Sequence, residues 1–192
     1  MKILKFLNEP VCVYDDYIDD INLIESLKKE SFIDKTIAGQ DSFSESQEKL
    51  YKIVNATFIN YCVENNIDFN SLNFGNLQKG CLKKYNEKMV YNHLYEPHHD
   101  MVERSYITAI YYIDSSFDNI NWVGGELTIY KNLTFAEYPS NIINVLPKQN
   151  RLIIFPGFLV HRVKPYFGEK PRTTLVFGWN VETPTDKELK WI

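Results

Sequence analysis

A chain of 192 residues has the length of one ordinary domain, and 44% hydrophobic with 24% charged residues argues against disorder. No apolar run approaches the roughly 18–20 residues of a membrane-spanning helix. The opening segment is broken too early for a signal peptide, so no membrane partner and a cytoplasmic address are expected. A formal net charge of −4 gives no general pull on phosphate backbones, which weighs against nucleic acid as a partner.

The first third reads as a supporting layer. Residues 10–17 alternate apolar positions and end in acids, the pattern of a short strand running into a turn. Asp19 and Asp20 are suited to cap a helix in which Ile21, Ile24, Leu27 and Lys28 recur at helical spacing. A second helix starts at one of two overlapping capping boxes, Ser42 with Glu45 or Ser44 with Gln47. Leu50, Ile53, Val54, Phe58, Tyr61 and Cys62 then share one face, and Asn65-Asn66 closes the segment. From about Gly80 the chain turns β-rich. Residues 106–113, 126–130, 151–155 and 173–179 are dense in β-branched and aromatic side chains and separated by Gly, Pro and Asn turns. With no helical period between them, an antiparallel sandwich or barrel is expected. The division expected is one of layers within a single domain, 1–192: N-terminal support over 1–77, a β core over 78–182 and a tail over 183–192. Cys12, Cys62 and Cys81 stand at wide spacing without a Cys-x-x-Cys pair, which argues against a disulfide framework or a thiolate zinc site.

The chemistry concentrates in Tyr95-Glu-Pro-His-His-Asp100. In an extended segment alternate side chains share a face, so His98 and Asp100 aim at one point while His99 turns away. Two such ligands cannot surround a metal. The candidate for a third is His161, which follows the apolar strand ending at Phe155-Pro-Gly157. Two imidazoles and one carboxylate arranged facially suit non-haem Fe(II), with positions left open for reactants. Arg172 and Thr174, two apart in the last strand, also share a face. A guanidinium and a hydroxyl pointing inward suit a bound carboxylate. His93 and His99 are read as sheet-face or rim residues, Trp122 and Trp179 as packing, and Gly124-Gly125 as a turn. Glu126 is either a solvated strand residue or a rim contact.

Taken together, residues 78–182 resemble the Fe(II)- and 2-oxoglutarate-dependent dioxygenases, in their prolyl 4-hydroxylase-like branch. Tyr95-Glu-Pro-His98-His-Asp100 is similar to that branch's Tyr-x-x-His-x-Asp. Arg104 through Thr108 to Tyr112-Ile113 resembles its Arg-x-x-Thr…Tyr-Leu strand, with one extra residue before Thr108. Gly124-Gly-Glu-Leu127, the run from Pro147 through Phe155 to His161-Arg-Val-Lys-Pro165, and Arg172-Thr-Thr-Leu-Val-Phe-Gly-Trp179 match its remaining motifs in order. The resemblance implies a double-stranded β-helix, a distorted jelly roll, with the N-terminal helices packed on its major sheet. It implies His98, Asp100 and His161 as iron ligands and Arg172 as the clamp on the far carboxylate of 2-oxoglutarate. Thr174 and Tyr112 would line that pocket. Tyr91 matches the tyrosine upstream of the His-x-Asp pair, with Tyr85 the alternative.

The implied reaction consumes O2 and 2-oxoglutarate, releases succinate and CO2, and hydroxylates an unactivated C–H bond. A peptidyl proline is the expected substrate, with a free amino acid or small metabolite as the next choice. Residues 114–123 and 132–144 would set that choice and carry no readable code. The alternatives are an oxidative nucleic-acid demethylase of the same superfamily, a non-catalytic metabolite-binding barrel, and a zinc hydrolase using the same three ligands. Oligomeric state is not legible.

Overall fold

The computed structural model describes residues 2–6, 9–32, 44–67, 74–85, 97–100, 105–114, 123–130, 142–167 and 172–181. Two helices form where the caps place them. Asp20 Oδ1 accepts from the Leu23 N–H at 3.2 Å and opens α1 (Ile21–Phe32). Of the two overlapping boxes, Ser44 and Gln47 make the cap, and α2 runs over Glu45–Glu64. Leu50, Val54, Phe58, Tyr61 and Cys62 are buried along its inner face, with Ile53 partly so. None of the described helices is long and apolar enough to cross a membrane.

The strands are β1 (Lys2–Phe6), β2 (Glu9–Tyr14), β3 (Phe74–Tyr85), β4 (Ser105–Asp114), β5 (Val123–Gly124), β6 (Leu127–Tyr130), β7 (Ile142–Val145), β8 (Arg151–Pro156), β9 (His161–Val163), β10 (Tyr166–Phe167) and β11 (Arg172–Val181). Six of them make a large sheet in the order β1-β2-β8-β4-β11-β3; β7-β6-β9 make a small one, and β10 pairs with β5. Every pairing is antiparallel. The expected β-rich architecture with helical support is present. Two strands of the N-terminal third, β1 and β2, extend the large sheet itself rather than lying against it.

Side-chain alternation divides the interior into two cores. Ile107, Ala109, Tyr111 and Ile113 of β4 face the helices and join Leu27, Leu50 and Phe58. Ile110 and Tyr112, on the opposite face, join Leu127, Ile129 and Val163 of the small sheet. Trp179 is packing, as expected: its ring stacks on Phe58 at 4.3 Å and its indole N–H donates to Asn55 Oδ1. Each buried aromatic of this kind contributes on the order of a few kcal/mol through area alone.

Asn150 ties the layers together. It turns the chain into β8 with a left-handed φ of 58°, which asparagine tolerates better than most residues. Its Oδ1 accepts from the Ile18 N–H at 2.9 Å and from the Tyr111 hydroxyl at 3.0 Å, while Nδ2 donates to Ile18 O. Its backbone N–H donates to Tyr112 O, and its carbonyl accepts from Tyr17 N–H.

Burial raises the pKa of several acidic groups on the helix side of the large sheet. Cys12 and Cys62 are both buried. Burial pushes the Cys62 thiol up to about 12. It pushes the Tyr17 phenol to about 12 as well, against the opposing pull of Thr57. Tyr111 is raised further by the same cause.

Two measurements follow. In the unfolded chain these groups lose their protons near their ordinary values, so between about pH 9 and 12 the folded state holds more protons. Stability from urea titrations is therefore full below about pH 9 and falls as pH rises toward 12, and Cys62→Ala delays the onset by about one pH unit. Asn150→Ala, which strands the Ile18 N–H and the Tyr111 hydroxyl, should cost about 2–4 kcal/mol at neutral pH by the same titration.

Candidate active site

The site is assembled by a single antiparallel bridge. His98 N–H donates to His161 O at 2.9 Å and His161 N–H to His98 O at 2.8 Å. Residues paired in this way project their side chains to the same side, and the two imidazoles stand 4.6 Å apart. Two residues on, the Asp100 N–H donates to Gly157 O at 2.8 Å and returns the carboxylate to that side. His98 thus sits in one bridge rather than in a continuous strand, yet the expected alternation holds.

The result is a compact donor set. Asp100 Oδ2 is 3.6 Å from His161 Nε2, and Oδ1 is 3.9 Å from His98 Nε2. One ligand atom from each of the three lies within 4.8 Å of the others. His161 Nδ1 stands 2.9 Å from the Leu159 carbonyl, which can only accept. The ring proton therefore sits on Nδ1 and the Nε2 lone pair faces the other donors. Phe155 packs edge-on against the same ring at 4.9 Å and holds its plane. Burial is graded: the side chain of His161 is 5% exposed, that of Asp100 15% and that of His98 38%, so the cluster opens on the His98 side. His99 lies exposed beside that opening.

Arg172 begins β11 and is 1% exposed. Its Nη2 donates to the Tyr112 hydroxyl at 3.1 Å, and its guanidinium carbon lies 4.7 Å from the centre of the Tyr112 ring. Thr174, two residues on and paired with Tyr112 across β4, is also buried. Its Oγ1 has no hydrogen-bond partner among the described residues. The stem of Arg172 rests on the Gly-Gly turn. A Cβ at Gly125 would stand 3.3 Å from Arg172 Cδ and 2.9 Å from Tyr166 Cδ2. One at Gly124 would meet the Pro165 carbonyl oxygen outright. Both glycines have positive φ. The turn read from sequence is thus also a floor beneath the arginine.

Glu126 departs from the solvated-residue reading, because its Oε2 is buried without a hydrogen-bond partner among the described residues. Tyr91, His93, Arg104 and Trp122 lie outside the described residues. Tyr85 is described by its backbone only, as the β3 partner of Arg172. Thr108 was legible as part of a motif but without a role. Its Oγ1 donates to Asp100 Oδ2, a contact signalled only by its lying four residues from Tyr112 on the same strand face.

A family model for the 2OG-Fe(II) oxygenase superfamily matches residues 84–179, half of the chain. The chain belongs to that superfamily. It is a 2-oxoglutarate-dependent dioxygenase, and Fe(II), 2-oxoglutarate and O2 are the cofactor and cosubstrates of its class. Solved structures share the fold. A Pseudomonas putida prolyl-4-hydroxylase matches with a TM-score of 0.64 at 15% identity, over 90% of this chain and 88% of its own. A Trichoplax adhaerens prolyl hydroxylase, in complex with a hypoxia inducible factor oxygen degradation domain peptide fragment, gives 0.60 at 18% identity over 90% and 84%. A viral collagen prolyl hydroxylase from Paramecium Bursaria Chlorella virus-1 gives 0.57 at 14% identity over 89% and 90%. The antiparallel sheets of this dioxygenase are therefore those of a double-stranded β-helix. No curated protein sequence matches the chain.

The residues present fit the groups this class requires. Two imidazoles and a carboxylate are a donor set suited to Fe(II). A buried guanidinium, with a buried hydroxyl two residues on that has no hydrogen-bond partner among the described residues, suits the carboxylate of 2-oxoglutarate. The Gly-Gly floor yields a direct check. Gly125→Ala should destabilise the dioxygenase by about 1–3 kcal/mol in urea titrations, because both strain and side-chain crowding oppose it. Gly124→Ala should cost more, since the group it meets is backbone and cannot turn aside.

Proposed function

We propose that this dioxygenase hydroxylates a prolyl residue of a peptide, with a free amino acid as the second substrate class. His98, Asp100 and His161 hold Fe(II), and Arg172 holds the far carboxylate of 2-oxoglutarate with Thr174 and Tyr112 around it; Tyr91 is added to this set by the sequence resemblance alone. One observation carries the reading. A single face of β4 gives the Thr108 hydroxyl to Asp100 and the Tyr112 phenol to Arg172, so the metal-binding cluster and the guanidinium share one wall.

Iron, 2-oxoglutarate and O2 together supply the oxidising power: the cosubstrate loses CO2 and becomes succinate, taking one oxygen atom, and the other enters the substrate C–H bond as hydroxyl. The chain's own residues supply position. His161 and Asp100 are buried enough to exclude bulk water from the inner side of the cluster. Arg172 fixes one end of the cosubstrate by a charge-assisted contact in a buried setting, where such contacts are strongest. The opening beside His98, with His99 exposed at its edge, leaves a side from which an extended peptide can approach. The Trichoplax adhaerens prolyl hydroxylase, solved with a peptide fragment, supports a peptide as the substrate class.

The test is anaerobic titration of metal-free protein with Fe(II) and then 2-oxoglutarate, read by visible spectroscopy. A weak charge-transfer band is expected only after both additions and not in His161→Ala. In Arg172→Ala the 2-oxoglutarate needed for half the band should rise about 10–100-fold, the loss of a charged hydrogen-bonded contact. Admitting air with proline-containing peptides should then yield a product with one added oxygen by mass spectrometry. A band without oxidation of any peptide or free proline would overturn the substrate assignment and leave the metal assignment standing.

A further inference from the structure

Thr108 lies in the middle of β4, 1% exposed, on the face that looks into the site. The strand cannot shift there, because Thr108 is paired with Phe155 of β8 on one side and Gly178 of β11 on the other. Its Oγ1 donates to Asp100 Oδ2 at 2.5 Å. The main chain of Asp100 is fixed independently, by its N–H on Gly157 O. One residue is thus held at both ends, by a strand on one side and by the turn after β8 on the other.

This makes the two carboxylate oxygens of Asp100 unlike. Oδ2 receives the threonine hydroxyl and faces His161. Oδ1 faces His98 Nε2 and accepts no hydrogen bond among the described residues. A carboxylate free to turn can grip a metal with one oxygen or with both. Gripping with both would take up a coordination position that the chemistry of this class needs open. We propose that Thr108 is a positioning residue for the metal: by holding Oδ2 it leaves Oδ1 as the single donor of Asp100. The contact also keeps the carboxylate in place before metal arrives, so binding does not have to order it.

The proposal rests on the reading that His98, Asp100 and His161 are the ligands, and Co(II) separates the two. The full chain is titrated with Co(II) and followed by its visible absorption. Thr108→Val, which keeps the shape and removes the hydroxyl, should bind Co(II) about 10–100-fold more weakly and with an altered spectrum. Thr108→Ser should return the affinity to within about threefold of the parent, with the parent spectrum. If Val leaves both affinity and spectrum unchanged, or if Ser fails to restore them, the positioning role is overturned while the ligand set stands. If His161→Ala binds Co(II) as tightly as the parent, the ligand set falls and the role of Thr108 falls with it. Circular dichroism checks the fold of each variant, and Thr108→Ala is read in the same way should Val unfold the chain.

Discussion

Everything at the site depends on the two-residue period of β4. Both faces of this strand are buried, so its register admits no slip. Odd positions from Ile107 to Ile113 pack against the helices, and even positions from Thr108 to Tyr112 look into the site. A shift by one residue would send Tyr111 toward Arg172 and bury the Thr108 hydroxyl among leucines. Its neighbours obey the same rule: Leu152 and Ile154 of β8 face the helices, while Ile153 and Phe155 face inward. On β11, Leu175 and Phe177 belong to the helix side, and Arg172 and Thr174 to the other parity. The helical layer therefore does more than cover a sheet. It is what makes the wrong register costly.

The second constraint is electrostatic. Burying a guanidinium costs several kcal/mol unless its protons find acceptors in good geometry. Arg172 is nearly inaccessible, and its contacts include the phenol oxygen and the ring face of Tyr112. A guanidinium held where water has so little access suits an anionic ligand, because charge-assisted contacts are strongest in such surroundings. At the other end the Asp100 carboxylate among two imidazoles gives the opposite preference, for a cation. One cavity wall thus carries two sites of opposite charge preference, a pairing that suits a dianionic cosubstrate that must also reach a metal.

Much of this was legible in the sequence, and what was not has identifiable causes. The caps at Asp20 and Ser44, the apolar face of α2, and the four strongest strands follow local rules that tertiary structure did not override. The His-x-Asp pair and the distant His161 were readable because ligand chemistry restricts residue type. Strand β3 was hidden by Gly75 and Gly80 and by its polar residues, which read as loop. Strands β1 and β7 were not read from sequence either. The buried Oε2 of Glu126 was not legible, and the Thr108 contact was signalled only by its sharing a strand face with Tyr112. Both depend on which residue faces a given side chain across space, and neither glutamate nor threonine in a strand announces its partner.

The N-terminal layer reaches Arg172 by a short path. Tyr111 and Tyr112 are adjacent on β4 and point to opposite faces. The Tyr111 hydroxyl is held by Asn150, whose backbone N–H is bonded to the Tyr112 carbonyl, and Tyr112 in turn accepts from Arg172. Asn150 is bonded on its other side to Tyr17 and Ile18, in the segment that leads into α1. The link between β2 and the first helix is therefore two residues from the guanidinium, counted through hydrogen bonds. Loosening that link would lower stability and widen the range of positions open to Tyr112 together, because the same groups carry both. The position of the arginine is therefore tied, through Tyr112 and Asn150, to the segment that leads into α1.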